Sequence, residues 1–183
     1  MATATPQEIR KKRLKNDYKQ MCNIQGAMIQ WITLNGEPPY VDSYEVTIKV
    51  RSIIDSKPSY RHTHLVRIVL PENYPNSSSS GPQAKMVTKP QPFHPNWYLD
   101  GRWCHGYWAV SEGLGEYVIR MIRTLQFDKE ITNPDSSANS AAESWYRANV
   151  SKNLFPCDQQ ILPDPTKARF EIHDVQRKKF IIS

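Results

Sequence analysis

Apolar residues near the start of the chain recur at helical spacing. Leu14, Tyr18, Met21 and Cys22 share one stripe, with polar and basic residues over the rest of the surface. Thr5-Pro6-Gln7-Glu8 reads as the beginning of that helix: Thr5 caps it, Pro6 takes the first helical position and Glu8 completes a capping box. The helix is expected to end before Gly26. From Ala27 the pattern becomes strand-like, with β-branched and aromatic runs at 28–34, 44–54 and 62–70 and a shorter one at 84–88. Asn35-Gly36, Pro38-Pro39 and the polar segment 55–59 punctuate them. A consecutive antiparallel meander of four strands follows. Residues 89–110 have no clear period yet hold Trp97, Trp103 and Trp108, too many aromatics for a linker. Val118, Met121, Ile122 and Leu125 place a second helix over 114–127. The turn Asn133-Pro134-Asp135-Ser136-Ser137 leads into a third over 138–150, with Ala141, Trp145 and Asn149 as its stripe. The fold class is therefore α+β: an N-terminal helix, a four-stranded antiparallel meander, an irregular segment, then C-terminal helices.

Composition changes this picture little. A chain of 183 residues with 39% hydrophobic and 23% charged residues suits one ordinary core. No run approaches the ~18 apolar residues of a membrane span, and the polar, basic start lacks the apolar region of a signal peptide, so neither a membrane partner nor secretion is expected. Charge adds more. The net charge of +6 gathers in Arg10, Lys11, Lys12, Arg13 and Lys15, and again in Arg177, Lys178 and Lys179. Such clusters suit nucleic acid, an acidic membrane surface or an acidic protein. Three cysteines, Cys22, Cys104 and Cys157, without Cys-x-x-Cys spacing, indicate neither a disulfide framework nor a zinc knuckle, and a reducing, cytoplasmic setting is expected.

Candidate chemistry lies in the irregular segment. Cys104 sits between Gly101 and Gly106, so other chains can approach its sulfur, and it follows His94-Pro95-Asn96 by eight residues. The chain resembles the ubiquitin-conjugating (UBC) enzyme family over most of 5–150, carried by features in family order: a basic first helix, the meander, Tyr74-Pro75, His94-Pro95-Asn96, Gly101-x-x-Cys104 and Asn133-Pro134-Asp135 before a helix. The resemblance implies a conjugating domain over 1–150 and a C-terminal extension over 151–183, partly docked or flexible. It implies that Cys104 accepts a ubiquitin-like modifier from an activating enzyme as a thioester and passes it to a lysine of a substrate protein. A thiolate suits this because it is strongly nucleophilic and remains a good leaving group. By motif match, Asn96 stabilises the oxyanion or positions the site, Asp135 and Ser136 stand near its mouth, and His94 and Pro95 are structural. Arg10, Lys11, Arg13 and Lys15 fall on the face the family offers to its activating enzyme. With no nucleic-acid motif beside the basic clusters, an acidic protein partner is expected rather than nucleic acid. No metal and no cofactor is implied.

Several positions depart from the family. Trp103 and His105 replace the usual aliphatic and leucine beside the cysteine; Asn76-Ser77 follows Tyr74-Pro75, and Ser111-Glu112-Gly113 stands where Ser-Pro-Ala is common. The apolar anchors that usually dock RING ligases are missing at both places, which argues against conventional RING recognition. The departures suit a divergent member, from a bacterial or archaeal ubiquitin-like system or an atypical eukaryotic one. Other readings are a catalytically inactive UBC-like binding module, a cysteine hydrolase pairing Cys104 with His94 or His105, and a metal site using His62, His64, Cys104 and His105.

Overall fold

A computed structural model describes residues 4–167; the basic cluster Arg177, Lys178 and Lys179, and Phe170 and Phe180, lie outside them. The first helix, α1 (Pro6–Ile24), begins as its sequence requires. The Thr5 hydroxyl accepts from the Glu8 N–H at 3.2 Å, and the Glu8 carboxylate accepts from the Thr5 N–H at 2.7 Å. Its buried face is Leu14, Asp17, Met21 and Ile24, so the apolar stripe is displaced from the expected one: Cys22 is exposed, and a carboxylate takes a core position.

The strands are β1 (Ile29–Asn35), β2 (Ser43–Ile48), β3 (Ser52–Ile53), β4 (Tyr60–Arg61), β5 (His64–Val69) and β6 (Gln83–Met86). Four of them form the antiparallel sheet β1-β2-β5-β6, while β3 and β4 make a separate ribbon. The apolar runs at 44–54 and 62–70 are therefore each split. The Lys49 N–H donates to Met28 O at 2.8 Å, beyond which β1 offers no further partner. The next residues turn elsewhere, with the Arg51 N–H on the Asp158 carboxylate at 2.6 Å. Within the sheet, burial alternates. Tyr44, Val46, Ile48, Val66, Ile68, Ala84 and Met86 face the core, and Arg67, Val69, Gln83 and Lys85 face solvent.

Helices α2 (Leu114–Leu125) and α3 (Ser140–Asn149) complete the fold. The main core joins the sheet to Met21 and Ile24 of α1 and to Tyr117, Val118, Met121 and Ile122 of α2. A second, smaller core consists of Ile53, Phe127, Tyr146, Phe155 and Cys157. Phe155 stacks on Phe127 with ring centres 5.1 Å apart and meets Tyr146 at 4.6 Å. That partner rotates the buried face of α3 to Ala142 and Tyr146, leaving Ala141 exposed and Trp145 half-buried. The segment beyond 150 thus contributes core residues, at least through Cys157. Among the described residues, no helix is long and apolar enough to cross a membrane.

Asp17 explains how a carboxylate can occupy the core. It accepts from Arg13 Nε at 3.0 Å to both oxygens, from the Tyr74 hydroxyl at 2.6 Å and from the Leu114 N–H at 2.9 Å. Burial pushes its carboxyl upward, against the opposing pull of the Arg13 charge, the Tyr74 hydroxyl and the Leu114 N–H. Helix α2 starts after Gly113, which has no side chain to cap it; Asp17 on Leu114 and Gln20 Oε1 on the Gly115 N–H at 3.0 Å act as caps supplied by α1. The approach is close enough that a Cβ on Gly113 would stand 2.1 Å from Gln20 Oε1. His64 is also buried; its Nε2 lies 3.1 Å from Val50 O and its Nδ1 3.4 Å from Arg61 Nε. Burial first and the Arg61 charge second hold its ring down to about 4.

Tyr74→Phe removes one bond to the charged Asp17 and is expected to lower stability by about 1.5–3 kcal/mol, read from the urea midpoint. An unfolded histidine takes its proton near ~6.5 whereas folded His64 resists until about 4, so stability is lost as pH falls through that window. By pH 5 the loss is about 2 kcal/mol. Comparing urea midpoints at pH 7 and pH 5 for the wild type and His64→Gln isolates it, the variant falling less by that amount.

Candidate functional site

The irregular segment runs from the small core to the large one. The Phe93 N–H donates to Ile53 O at 2.9 Å, and its ring meets Trp145 at 5.7 Å. His94 is fully buried against Phe127, ring centres 4.3 Å apart. Its Nδ1 accepts from the Asn96 N–H at 2.9 Å, and its Nε2 lies 3.3 Å from the Thr132 hydroxyl. Burial presses its ring down to about 3, so it is neutral at physiological pH. With both nitrogens engaged it has none to spare as a base. Pro95 O accepts from the Ala138 and Asn139 N–H groups at 2.7 and 3.2 Å.

Asn96 is the joint of the site. Its Nδ2 donates to Asn133 O at 2.7 Å and to Ser136 O at 3.1 Å, and its Oδ1 accepts from the Asn133 N–H at 2.8 Å. Both amide hydrogens are thus committed to the turn that ends in the 3-10 segment Pro134–Ser136. The chain then reverses at 98–102, where Gly101 has φ +94°, and a Cβ there would lie 2.7 Å from Met86 O. It returns beside β6: the Trp103 N–H donates to Ala84 O at 3.1 Å, and the Cys104 N–H donates to Asn96 O at 3.0 Å. The backbone of the cysteine is therefore bonded to the residue that holds the 133–136 turn.

Cys104, Asn96, Asn133, Ser136, His105 and Arg120 line a cavity of about 130 Å³. Cys104 is half-buried, open enough to be reached. By contrast Cys157 is buried, which pushes its thiol up to about 12, and Cys22 lies on α1. Arg120, from α2, grips Glu112 through Nε at 2.7 Å and Nη2 at 2.8 Å, donates to His105 O at 2.5 Å, and lies over the Trp103 ring at 5.0 Å. It thereby clamps both ends of the loop that follows the cysteine. His105 packs against Trp103 and Tyr117, and its buried Nδ1 has no bonding partner among the described residues. Burial first and the Arg120 charge second push its ring below the ordinary histidine range.

The structure separates some residues that the sequence grouped. Ser136 lines the cavity, but Asp135 does not; its carboxylate pairs with Arg147 Nη2 at 2.7 Å. On α1, Arg13 is held by Asp17, Val110 O and Glu112 O, and Arg10 donates to Pro71 O at 2.6 Å and Tyr74 O at 3.0 Å. These two arginines brace their own chain, leaving Lys11, Lys12 and Lys15 as the exposed cations of that cluster, with Lys11 over the Tyr40 ring at 4.9 Å. Of the candidate metal ligands, His64 already faces Val50 O, and among the described residues no group of three or more His, Cys, Asp or Glu stands together. Arg120 and Thr132 carried no sequence signal, since each acts across a fold contact, and Glu112, marked only as part of a departure from the family pattern, gave no sign of its pairing with Arg120.

Asn96→Ala is expected to free the Asn133 amide, raising its hydrogen-exchange rate about tenfold, while amides of the main sheet exchange as in the wild type. Amide exchange followed by NMR reads both. Compared with known proteins, the chain matches no family model and no curated protein.

Proposed function

We propose that the chain is a conjugating enzyme of the UBC type, which carries a ubiquitin-like modifier on Cys104. The observation that carries this reading is the convergence around one cavity of three separated stretches: His94-Pro95-Asn96, Cys104 and the 133–136 turn, joined through Asn96. In the first step the Cys104 thiolate attacks the carbonyl carbon of the modifier's C-terminus. A C–S bond to Cys104 forms, and the bond to the activating enzyme's sulfur breaks, releasing that sulfur as thiolate. In the second, a lysine amine of the substrate protein attacks the same carbon. The C–N bond forms, the C–S bond breaks, the thiolate returns to Cys104, and the amine's proton passes to solvent.

This chemistry needs a thiol within reach and a shaped wall beside it; in support of the reading, Cys104 is half-buried and lines the cavity with Asn96, Asn133 and Ser136. It needs no histidine base at the cysteine, in keeping with a His94 whose nitrogens are both engaged. Because the Asn96 hydrogens already hold two carbonyls, its contribution runs through the placement of the 133–136 turn. The exposed Lys11, Lys12 and Lys15 offer an acidic activating enzyme a charged landing face. A hydrolase, by contrast, would cleave conjugates without ATP or an activating enzyme.

Incubation with ATP and paired activating enzymes and modifiers, read on reducing and non-reducing gels, tests the proposal. Wild type is expected to form a thiol-sensitive adduct, Cys104→Ser a thiol-resistant one, and Cys104→Ala none. Asn96→Ala is expected to load normally but to slow transfer to free lysine by about tenfold or more, the scale of a lost positioning contact.

A further inference from the structure

The outer face of the sheet carries three cations abreast. The register sets Arg67 of β5 opposite Lys85 of β6, and Lys85 opposite Arg102 of the returning segment. Like charges directly opposed across strands destabilise the pairing. Two of the three are partly compensated: Glu45 lies 3.3 Å from Arg67, and Asp100 lies 2.7 Å from Arg102. Lys85 is exposed and makes no ion pair within 4.0 Å among the described residues, and the same holds for Lys89. All four cations line one groove of about 730 Å³, whose lining includes one carboxylate, that of Asp100. Val69 and Val87 add apolar wall.

The groove does not stand apart from the cysteine. Trp103 and His105 line it and also line the cavity that holds Cys104. The groove and the cavity therefore adjoin along Trp103 and His105. We propose that this groove seats an acidic stretch of the substrate protein, so that the lysine acylated from Cys104 lies close in sequence to Asp or Glu residues. The inference rests on the conjugating reading and names its substrate class. The chemistry of the acceptor agrees. Carboxylates beside a lysine hold it protonated and unreactive, and seating them among four cations removes that hold and disfavours the ammonium form. Nucleic acid fits less well, since the rings that line the groove are already covered: Tyr98 lies under Arg102 at 4.8 Å, Trp103 is buried under Arg120, and His105 packs against Trp103 and Tyr117, which leaves none free for base stacking.

The test uses the whole chain and two fluorescent peptides with one central lysine, flanked by glutamates in one and by glutamines in the other. By anisotropy at low salt the glutamate peptide is expected to bind at least about tenfold more tightly, and the preference to shrink as salt is added. Lys85→Glu with Lys89→Glu is expected to abolish the preference, in a protein whose melting curve matches the wild type. If that variant fails to fold, Lys85→Gln carries the same comparison, with a loss of about threefold. Equal binding of the two peptides overturns the proposal even where Cys104 forms its thioester. So does a single-stranded oligonucleotide of equal charge binding more tightly than the glutamate peptide. Selective peptide binding by a chain that forms no thioester leaves the groove's chemistry standing and overturns the acceptor role, so the two failures are told apart.

Discussion

The carboxylate of Asp17 is where three parts of the molecule are fastened to one another. Sealed from water, it must be fully bonded, because an unpaired charge in such a place costs several kcal/mol. Its partners are Arg13 on its own helix, the Tyr74 hydroxyl from the loop before β6, and the first N–H of α2. Arg13 in turn holds the carbonyls of Val110 and Glu112. One buried charge therefore sets where α2 begins, how the loop from the cysteine returns to it, and how α1 packs across both. Since Arg120 projects from α2 and clamps the other side of that loop, the placement of the residues after Cys104 follows from Asp17 at one remove.

The opposite wall of the cavity is controlled by a neutral group. Asn96 spends both amide hydrogens and one bond to its amide oxygen on the backbone of 133–136, and its main-chain carbonyl receives the cysteine's N–H. Charged and neutral devices thus divide the site. Asp17 and Asn96 are both buried, so water and salt have little access to either.

Much of this was legible in the sequence, and the residues show why. Runs rich in β-branched and aromatic residues at 28–34, 44–54 and 62–70 announce strands, though not the breaks that send β3 and β4 into a separate ribbon, and the capping box at Thr5 and Glu8 is a purely local device. The tripeptide, the cysteine and the Asn-Pro-Asp turn were visible as motifs, although nothing in their spacing says that Asn96 would use both amide hydrogens on the turn. Asp17 was invisible because its partners lie 57 and 97 residues away. The buried face of α3 was misplaced by one residue because the ring that decides it, Phe155, belongs to a later segment. Cys22 shows the same limit: helical period defines the direction of a stripe but not its edge.

The presence of two cores has a further consequence. Phe93 packs with the small core and Trp97 with the large one, so the tripeptide between them is the seam where the two meet. The cysteine and Trp103 belong to the large core's side, while the 133–136 turn leads directly into α3 on the small core's side. Clusters of such unequal size open with unequal free energies. The small one is a handful of rings with a buried thiol, against the sheet-based cluster that joins α1 and α2. The two walls of the cavity thus rest on different cores: the thiol stands on the large one, and the turn, tied to it through Asn96, stands on the rings of Phe127, Tyr146 and Phe155.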